Sequence, residues 1–173
     1  MSTYYTKYFT LYNQLKESID FETAPSLPLR VNRDTRFEVD GINVGIMIQS
    51  YEEGAESMFS PGSILYQKYN PDTYFNIGFD IEESNTQIYK TDYRTLARIL
   101  AIVVKSTLQW VKENKPEVLT IVPIGGSEKE ARKKLHIYSS ILQSKESILN
   151  NLGYYWDRAL FMNKPGIYIA KKV

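Results

Sequence analysis

Apolar and polar residues recur with two different periods along the chain, and these periods divide it into helical and extended segments. In residues 4–19, aromatic and aliphatic side chains return every three or four positions, which predicts an amphipathic helix. The same spacing over residues 92–114 predicts a long helix, and its wide apolar face indicates burial against a sheet. Ser127 and Glu130 have the spacing of a capping box and predict another helix over residues 127–143.

Other segments alternate with a period of two and are therefore predicted as strands. The alternation is clearest in residues 42–48 and 74–81, and Asp40-Gly41 predicts a hairpin turn before the first of these strands. The nearly continuous apolar run 118–124 is typical of a strand that is covered on both faces. Shorter strands are expected at 37–39, 87–89, 154–160 and 167–170, the last two joined by a turn at 163–166.

This order of elements predicts an α+β fold with one mixed, mostly antiparallel sheet flanked by helices. The length of 173 residues suits a single domain. Pro25 and Pro28 end the first helical pattern. We therefore expect residues 1–30 to form an N-terminal helix and a connector, and residues 31–173 to form the α+β domain.

The composition excludes several kinds of site. The chain has no cysteine, so disulfides, thiolate metal sites and cysteine nucleophiles are ruled out. His136 is its one histidine, which rules out a multi-histidine metal site, and we expect no metal. The 21 basic and 20 acidic residues give a net charge of +1, which argues against strong nucleic-acid binding. A nucleic-acid role through the basic residues 129–134 is a weaker alternative.

The chain contains no apolar run of the length that a membrane span needs, and residues 1–5 lack the pattern of a signal peptide. We therefore expect a cytoplasmic protein without a membrane partner.

Tyrosine occurs 14 times, and this residue is enriched at contact surfaces because a large ring carries a polar tip. An AT-rich genome would produce the same excess. The aromatic stripe of the first helix is the candidate partner-binding surface, and it consists of Tyr5, Tyr8, Phe9 and Tyr12. It predicts protein partners or a homo-oligomer.

From residue 74 onward, the element order resembles the GNAT acyltransferase fold. In that fold a central strand leads into a long helix, which is followed by a strand, a second helix and a closing strand pair. The resemblance covers residues 74–170 and consists of element order and patterning. It implies a site for the pantetheine arm of acetyl-CoA between the strands at 74–81 and 118–124.

The glycine-containing cofactor loop of that family, Q-x-x-G-x-G or R-x-x-G-x-A, is missing here. Its glycines let backbone amides approach the pyrophosphate at the start of the long helix. The corresponding residues 89–96 contain no glycine, and Asp92 adds negative charge where the phosphates would lie. Lys90 and Arg94 partly offset that charge and are the cofactor-binding candidates if the protein is active.

The resemblance also implies a tyrosine on the second helix that protonates the leaving thiolate, and Tyr138 matches it by position. Asp80 or Glu82 would then act as the base. The other interpretation of Tyr138 is a packed aromatic on an apolar helix face.

The pattern Ala131-Arg132-x-x-Leu135-x-x-Tyr138, followed by Gly153-Tyr154-Tyr155, is similar to GNAT-like proteins of tailed phages that lack the cofactor loop. This similarity implies a catalytically inactive binding or structural module without a cofactor, acting in a bacteriophage virion or its assembly. Its partners would be other virion proteins, and it would be found in the host cytoplasm or the virion. The alternative is an acyl-CoA-dependent N-acyltransferase with an atypical cofactor loop, which would use acetyl-CoA.

Overall fold

The computed structural model describes residues 23–50, 74–81, 93–122, 128–161 and 164–173. Its strands are β1 (Thr35–Val39), β2 (Ile42–Ser50), β3 (Tyr74–Ile81), β4 (Val118–Ile121), β5 (Tyr154–Phe161) and β6 (Lys164–Lys171). Its helices are α1 (Tyr93–Asn114), α2 (Glu128–Ser144) and α3 (Glu146–Asn151). The predicted helix over 4–19 and the strand over 87–89 lie outside the described residues.

The described strands form one open sheet in the order β1-β2-β3-β4-β6-β5. β3 and β4 run parallel, and every other pair of neighbours is antiparallel. This arrangement confirms the predicted α+β class and the mixed, mostly antiparallel sheet. The parallel pair arises because α1 carries the chain back to the same end of the sheet.

The β1–β2 hairpin turns at Asp40 and Gly41, as the sequence predicts. Both residues have positive φ angles, 51° and 80°, which is the backbone of a two-residue primed turn. Val39 pairs with Ile42 directly across it.

The main core lies between one face of the sheet and the helices α1 and α2. Ile46, Ile99, Leu119 and Ile169 are almost completely buried in it. A smaller cluster lies on the opposite face of the sheet and consists of Tyr74, Val118, Phe161, Tyr168 and Ala170. Trp110 belongs to the main core, where its ring meets Phe75 edge-on at a centroid distance of 5.1 Å.

The connector after residue 23 is bonded to the middle of α1. The backbone N–H of Leu27 donates to Ser106 Oγ at 2.9 Å, and Lys105 Nζ donates to the carbonyl of Ala24 at 2.8 Å. Ala24 and Leu27 also pack against the main core. As a result α1 is buried along most of its length.

The closing hairpin has longer strands than the sequence predicts. The prediction placed Pro165 and Gly166 in a turn, but both lie in β6, opposite Leu160 and Ala159. Proline is tolerated there because β4 pairs with β6 only as far as Ile167. Gly166 is required by contact, since a Cβ on it would lie 2.6 Å from the ring of Phe161.

Two further boundaries differ from the predictions. The strand predicted over 118–124 ends at Ile121. A short helix, α3, follows α2 where none was predicted, and its one buried residue is Leu149. Six residues are too few to show a helical period on their own.

Candidate functional site

The start of α1 is the place where the resemblance implies the cofactor phosphates, and it is bonded to a carboxylate of this chain. Thr95 Oγ1 donates to Asp40 Oδ2 at 2.7 Å, and Arg98 Nη1 donates to Asp40 Oδ1 at 2.7 Å. The hairpin turn thereby carries the Asp40 side chain to the first turns of α1. Thr95 is buried, while Asp40 and Arg98 are exposed.

The N-terminus of a helix attracts anions because its first N–H groups lack partners within the helix and the helix dipole is positive there. No acidic residue of α1 itself lies in its first turn. Asp40 supplies a negative charge beside that turn from a residue 55 positions earlier. Sequence reasoning assigned Asp40 to the hairpin only, because nothing local links it to α1.

Most of the residues that the sequence analysis singled out for binding or catalysis lie outside the described residues. This applies to the cofactor candidate Lys90, to Asp92 with its opposing charge, to the candidate base Glu82, and to the aromatic stripe Tyr5, Tyr8, Phe9 and Tyr12. Arg94 and Asp80 lie in α1 and β3, but their side chains are outside the described part of the structure. The roles proposed for all of these residues stay predictions.

Tyr138 lies on the core side of α2 and packs against an aromatic residue of the sheet. Its ring meets that of Phe79 edge-on, with a centroid distance of 5.5 Å and an angle of 83°. Burial raises the pKa of Tyr138 above that of a free phenol. The ring stabilises the contact between α2 and β3.

The ladder between β3 and β4 is short and ends near Tyr138. The two strands pair only from Tyr74 with Val118 to Asn76 with Thr120. The Thr120 hydroxyl closes the paired part by donating to Asn76 Oδ1 at 3.0 Å. Beyond it lies a cavity of about 30 Å³, which is close to the space that one water molecule occupies. Ile77, Ile121 and Tyr138 are among its lining residues, which are apolar apart from Tyr138 and Thr107.

His136 lies two residues before Tyr138 on α2 and is half-buried. Burial lowers its pKa, and the nearby positive charge of Arg158 lowers it further. Sequence reasoning found no motif around His136, and it missed Arg158 because the two residues lie on different elements, α2 and β5, which only the tertiary structure brings near each other.

The described part of the chain was also compared with what a metal site and a membrane-spanning helix require. It brings together no group of three histidine, cysteine or carboxylate residues that would hold a metal ion. None of its helices combines the length and the apolar character of a membrane span.

The chain matches no protein-family model, no curated protein and no solved structure.

Proposed function

We propose that this protein is a catalytically inactive, GNAT-like module that acts by binding other proteins and uses no cofactor. The order β3-α1-β4-α2-α3-β5-β6 supports the GNAT-like part of the proposal, because it contains, apart from the additional short helix α3, the strand, long helix, strand, second helix and closing pair of that fold. The parallel crossover from β3 to β4 also agrees with it.

The position of the Asp40 carboxylate is the observation that carries the proposal. A pyrophosphate at the start of α1 would meet this charge and would compete with it for Thr95 and Arg98. Two like charges about 4 Å apart repel by about 1 kcal/mol in bulk water and by about 4 kcal/mol near a protein surface, where the effective dielectric constant is lower. The loop before α1 also has no glycine with which its amides could approach a phosphate.

The environment of Tyr138 agrees with an inactive protein. The pKa of this phenol is raised by burial, and the ring contacts Phe79. The cavity beside it is lined by apolar side chains apart from Tyr138 and Thr107. Its contacts within the core account for its presence in α2 without a catalytic role.

Titration with acetyl-CoA by isothermal calorimetry tests the proposal. We expect no saturable heat up to millimolar ligand for the wild-type protein. The Asp40→Asn variant removes the charge and keeps the shape, and Glu38→Gln, an exposed position in the same hairpin, is its matched control. Micromolar binding to the wild-type protein would overturn the proposal.

One observation favours the alternative, an acyl-CoA-dependent N-acyltransferase. The ladder between β3 and β4 has three residue pairs and ends between the two strands where the resemblance implies the pantetheine arm. This alternative predicts acetyl-CoA binding together with release of free CoA when an amine acceptor is added. It also predicts that Tyr138→Phe lowers the rate of that release while ligand binding is kept.

A role in a bacteriophage virion or its assembly stays a prediction. Portal, capsid or tail genes beside the coding sequence would support it, and a neighbourhood of metabolic genes would contradict it.

A further inference from the structure

One face of β5 carries an unusual set of side chains, which we call the β5 strip: Trp156, Arg158 and Leu160. The three residues alternate along the strand and therefore point to the same side, the side on which Trp156 packs against the main core. β5 is the last strand at one end of the described sheet. Leu160 is 59% exposed, which is high for a leucine in a strand.

The charge on the strip has no partner among the described residues. Arg158 is exposed, and no described carboxylate lies within ion-pair distance of its guanidinium. Asp157 points to the opposite face of the sheet and accepts a hydrogen bond from the backbone N–H of Arg158 at 2.7 Å. Among the described side chains of α2, His136 lies near Arg158, and its imidazole adds positive charge only when it is protonated.

Trp156 adds a hydrogen-bond donor without an acceptor. Its indole Nε1 is buried, and it is the one buried side-chain nitrogen or oxygen in the described part of the chain that has no partner. Leaving such a donor unsatisfied costs roughly 1–3 kcal/mol. An incoming acceptor that reaches it would recover part of this cost, after the small rotamer changes that are common at interfaces.

These features together define the chemistry of a partner. A tryptophan and an arginine beside an exposed aliphatic residue are typical of the residues that dominate binding energy at protein interfaces. The strip offers a positive charge and a free donor, so its complement supplies carboxylates. Side chains two residues apart in a strand are separated by roughly 7 Å, which an extended peptide matches with its own alternate side chains.

We propose that the β5 strip is a docking surface for an extended acidic segment of another protein, in which carboxylates bind Arg158 and an apolar side chain covers Leu160. This inference deepens the proposed function and rests on it, because it names the chemistry of the protein partner.

A synthetic peptide of about twelve residues that alternates glutamate and valine is the probe, labelled with fluorescein and followed by anisotropy at low salt. We expect saturable binding to the wild-type protein and none for the peptide with lysine in place of glutamate. Arg158→Glu should weaken binding by at least about tenfold, and Leu160→Ser by a smaller factor. Arg33→Glu makes the same charge change at an exposed arginine before β1 and should leave binding nearly unchanged.

The indole N–H resonance of Trp156 provides a second readout, assigned with Trp156→Phe. The chain has two tryptophans, and the buried Trp110 serves as an internal reference. Binding of the glutamate peptide should move the Trp156 resonance downfield, because its N–H gains an acceptor, and should leave Trp110 in place.

The proposal is wrong if the glutamate peptide does not bind saturably, or if Arg158→Glu binds it as well as Arg33→Glu does. A single-stranded oligonucleotide that displaces the peptide would assign the strip to nucleic acid and would also overturn it. Failure of the peptide alone leaves the proposed function standing, whereas binding of acetyl-CoA overturns the proposed function whatever the peptide does.

Discussion

The centre of the sheet and its outer strand β5 differ in what their side chains meet. All four residues of β4 are buried, since the strand has a neighbour on each side and packed side chains on both faces. In β5, by contrast, Asp157, Arg158 and Leu160 are exposed and one indole N–H lacks an acceptor. The difference indicates that the central strands provide stability, whereas the outer strand retains side chains whose binding capacity is unused among the described residues.

Two leucines test this division most directly. Leu119 of β4 is fully buried, and we expect Leu119→Ala to lower the free energy of unfolding by about 2–5 kcal/mol, because it removes buried methyl groups and leaves a cavity. Leu160→Ala in β5 should change it by less than about 0.5 kcal/mol. Urea unfolding measures both variants, and equal losses would break the comparison.

Gly166 lies in β6, the strand between β4 and β5, and its replacement should have the next largest effect on stability. Gly166→Ala places a Cβ 2.6 Å from Phe161 Cδ2 and 3.1 Å from the carbonyl oxygen of Ile121. We expect the free energy of unfolding to fall by about 1–3 kcal/mol, because the Phe161 ring and the Ile121 carbonyl must shift to admit the methyl group. Gly78→Ala is the matched control, since its Cβ would meet nothing within 4 Å. Thermal unfolding of both variants measures the difference, and a stable Gly166→Ala variant would contradict the contact.

The bond between the connector and α1 should contribute less. Ser106→Ala removes the acceptor of the Leu27 N–H inside a buried contact, and we expect a loss of about 1–2 kcal/mol. Ser26→Ala, at an exposed neighbouring position, should have almost no effect. Hydrogen exchange at the Leu27 amide should also become faster in Ser106→Ala. Unchanged exchange there would argue against the bond.

The Asp40 cluster is more exposed, so its effect on stability is smaller. Asp40→Asn should lower the free energy of unfolding by about 1 kcal/mol or less, because it weakens the bonds to Thr95 and Arg98 at the start of α1. Glu38→Gln removes the same charge from the same hairpin without those bonds. Chemical unfolding at two salt concentrations should show that the Asp40 effect shrinks as salt rises, and a salt-independent difference would contradict the electrostatic explanation.

The buried tyrosines should affect stability only at alkaline pH, so they give the smallest effect under neutral conditions. Burial raises the pKa of Tyr74 to about 12, with a contribution from Glu117, and burial together with Tyr155 and Asp157 raises the pKa of Tyr168 to about 12. The unfolded value is 10.0, so the stabilisation from keeping these phenols neutral is complete below that pH and is lost as the pH rises through about 12.

Phenolate absorbance measures this titration. Tyr74 and Tyr168 should ionise later than exposed tyrosines, and Tyr74→Phe and Tyr168→Phe should each shorten the late phase. Protein unfolded in urea should show a single transition. A native protein without a late phase, at a pH where its circular dichroism is still native, would contradict the burial of these phenols.

The sequence predicts those helices and strands that are long enough for their apolar residues to show a clear period. The apolar stripe of α1 predicts its span to within one residue, and Asn114-Lys115-Pro116 marks its end. Asp40-Gly41 predicts the first hairpin because two adjacent positive φ angles favour these residues. Pro165 and Gly166 mislead, since the same residue types also occur in a strand with one neighbour and at a close contact.

The candidate site could not be predicted in the same way. Asp40 meets Thr95 and Arg98 across more than fifty positions, and Arg158 of β5 lies near His136 of α2 only in the folded chain. Sequence patterns report which side of an element is apolar, and they contain no distance between side chains on different elements.

The sequence by itself therefore determined the α+β class, the turn at Asp40-Gly41 and the absence of cysteine chemistry, because local periodicity, φ preferences and composition are properties of the chain alone. Tertiary packing decided that a carboxylate lies at the start of α1 and that Tyr138 contacts Phe79. It also left the Trp156 indole N–H without an acceptor and the Arg158 guanidinium without a carboxylate among the described residues. Contacts of this kind depend on the strand order and on how the helices cross the sheet, which are set only when the whole core is assembled.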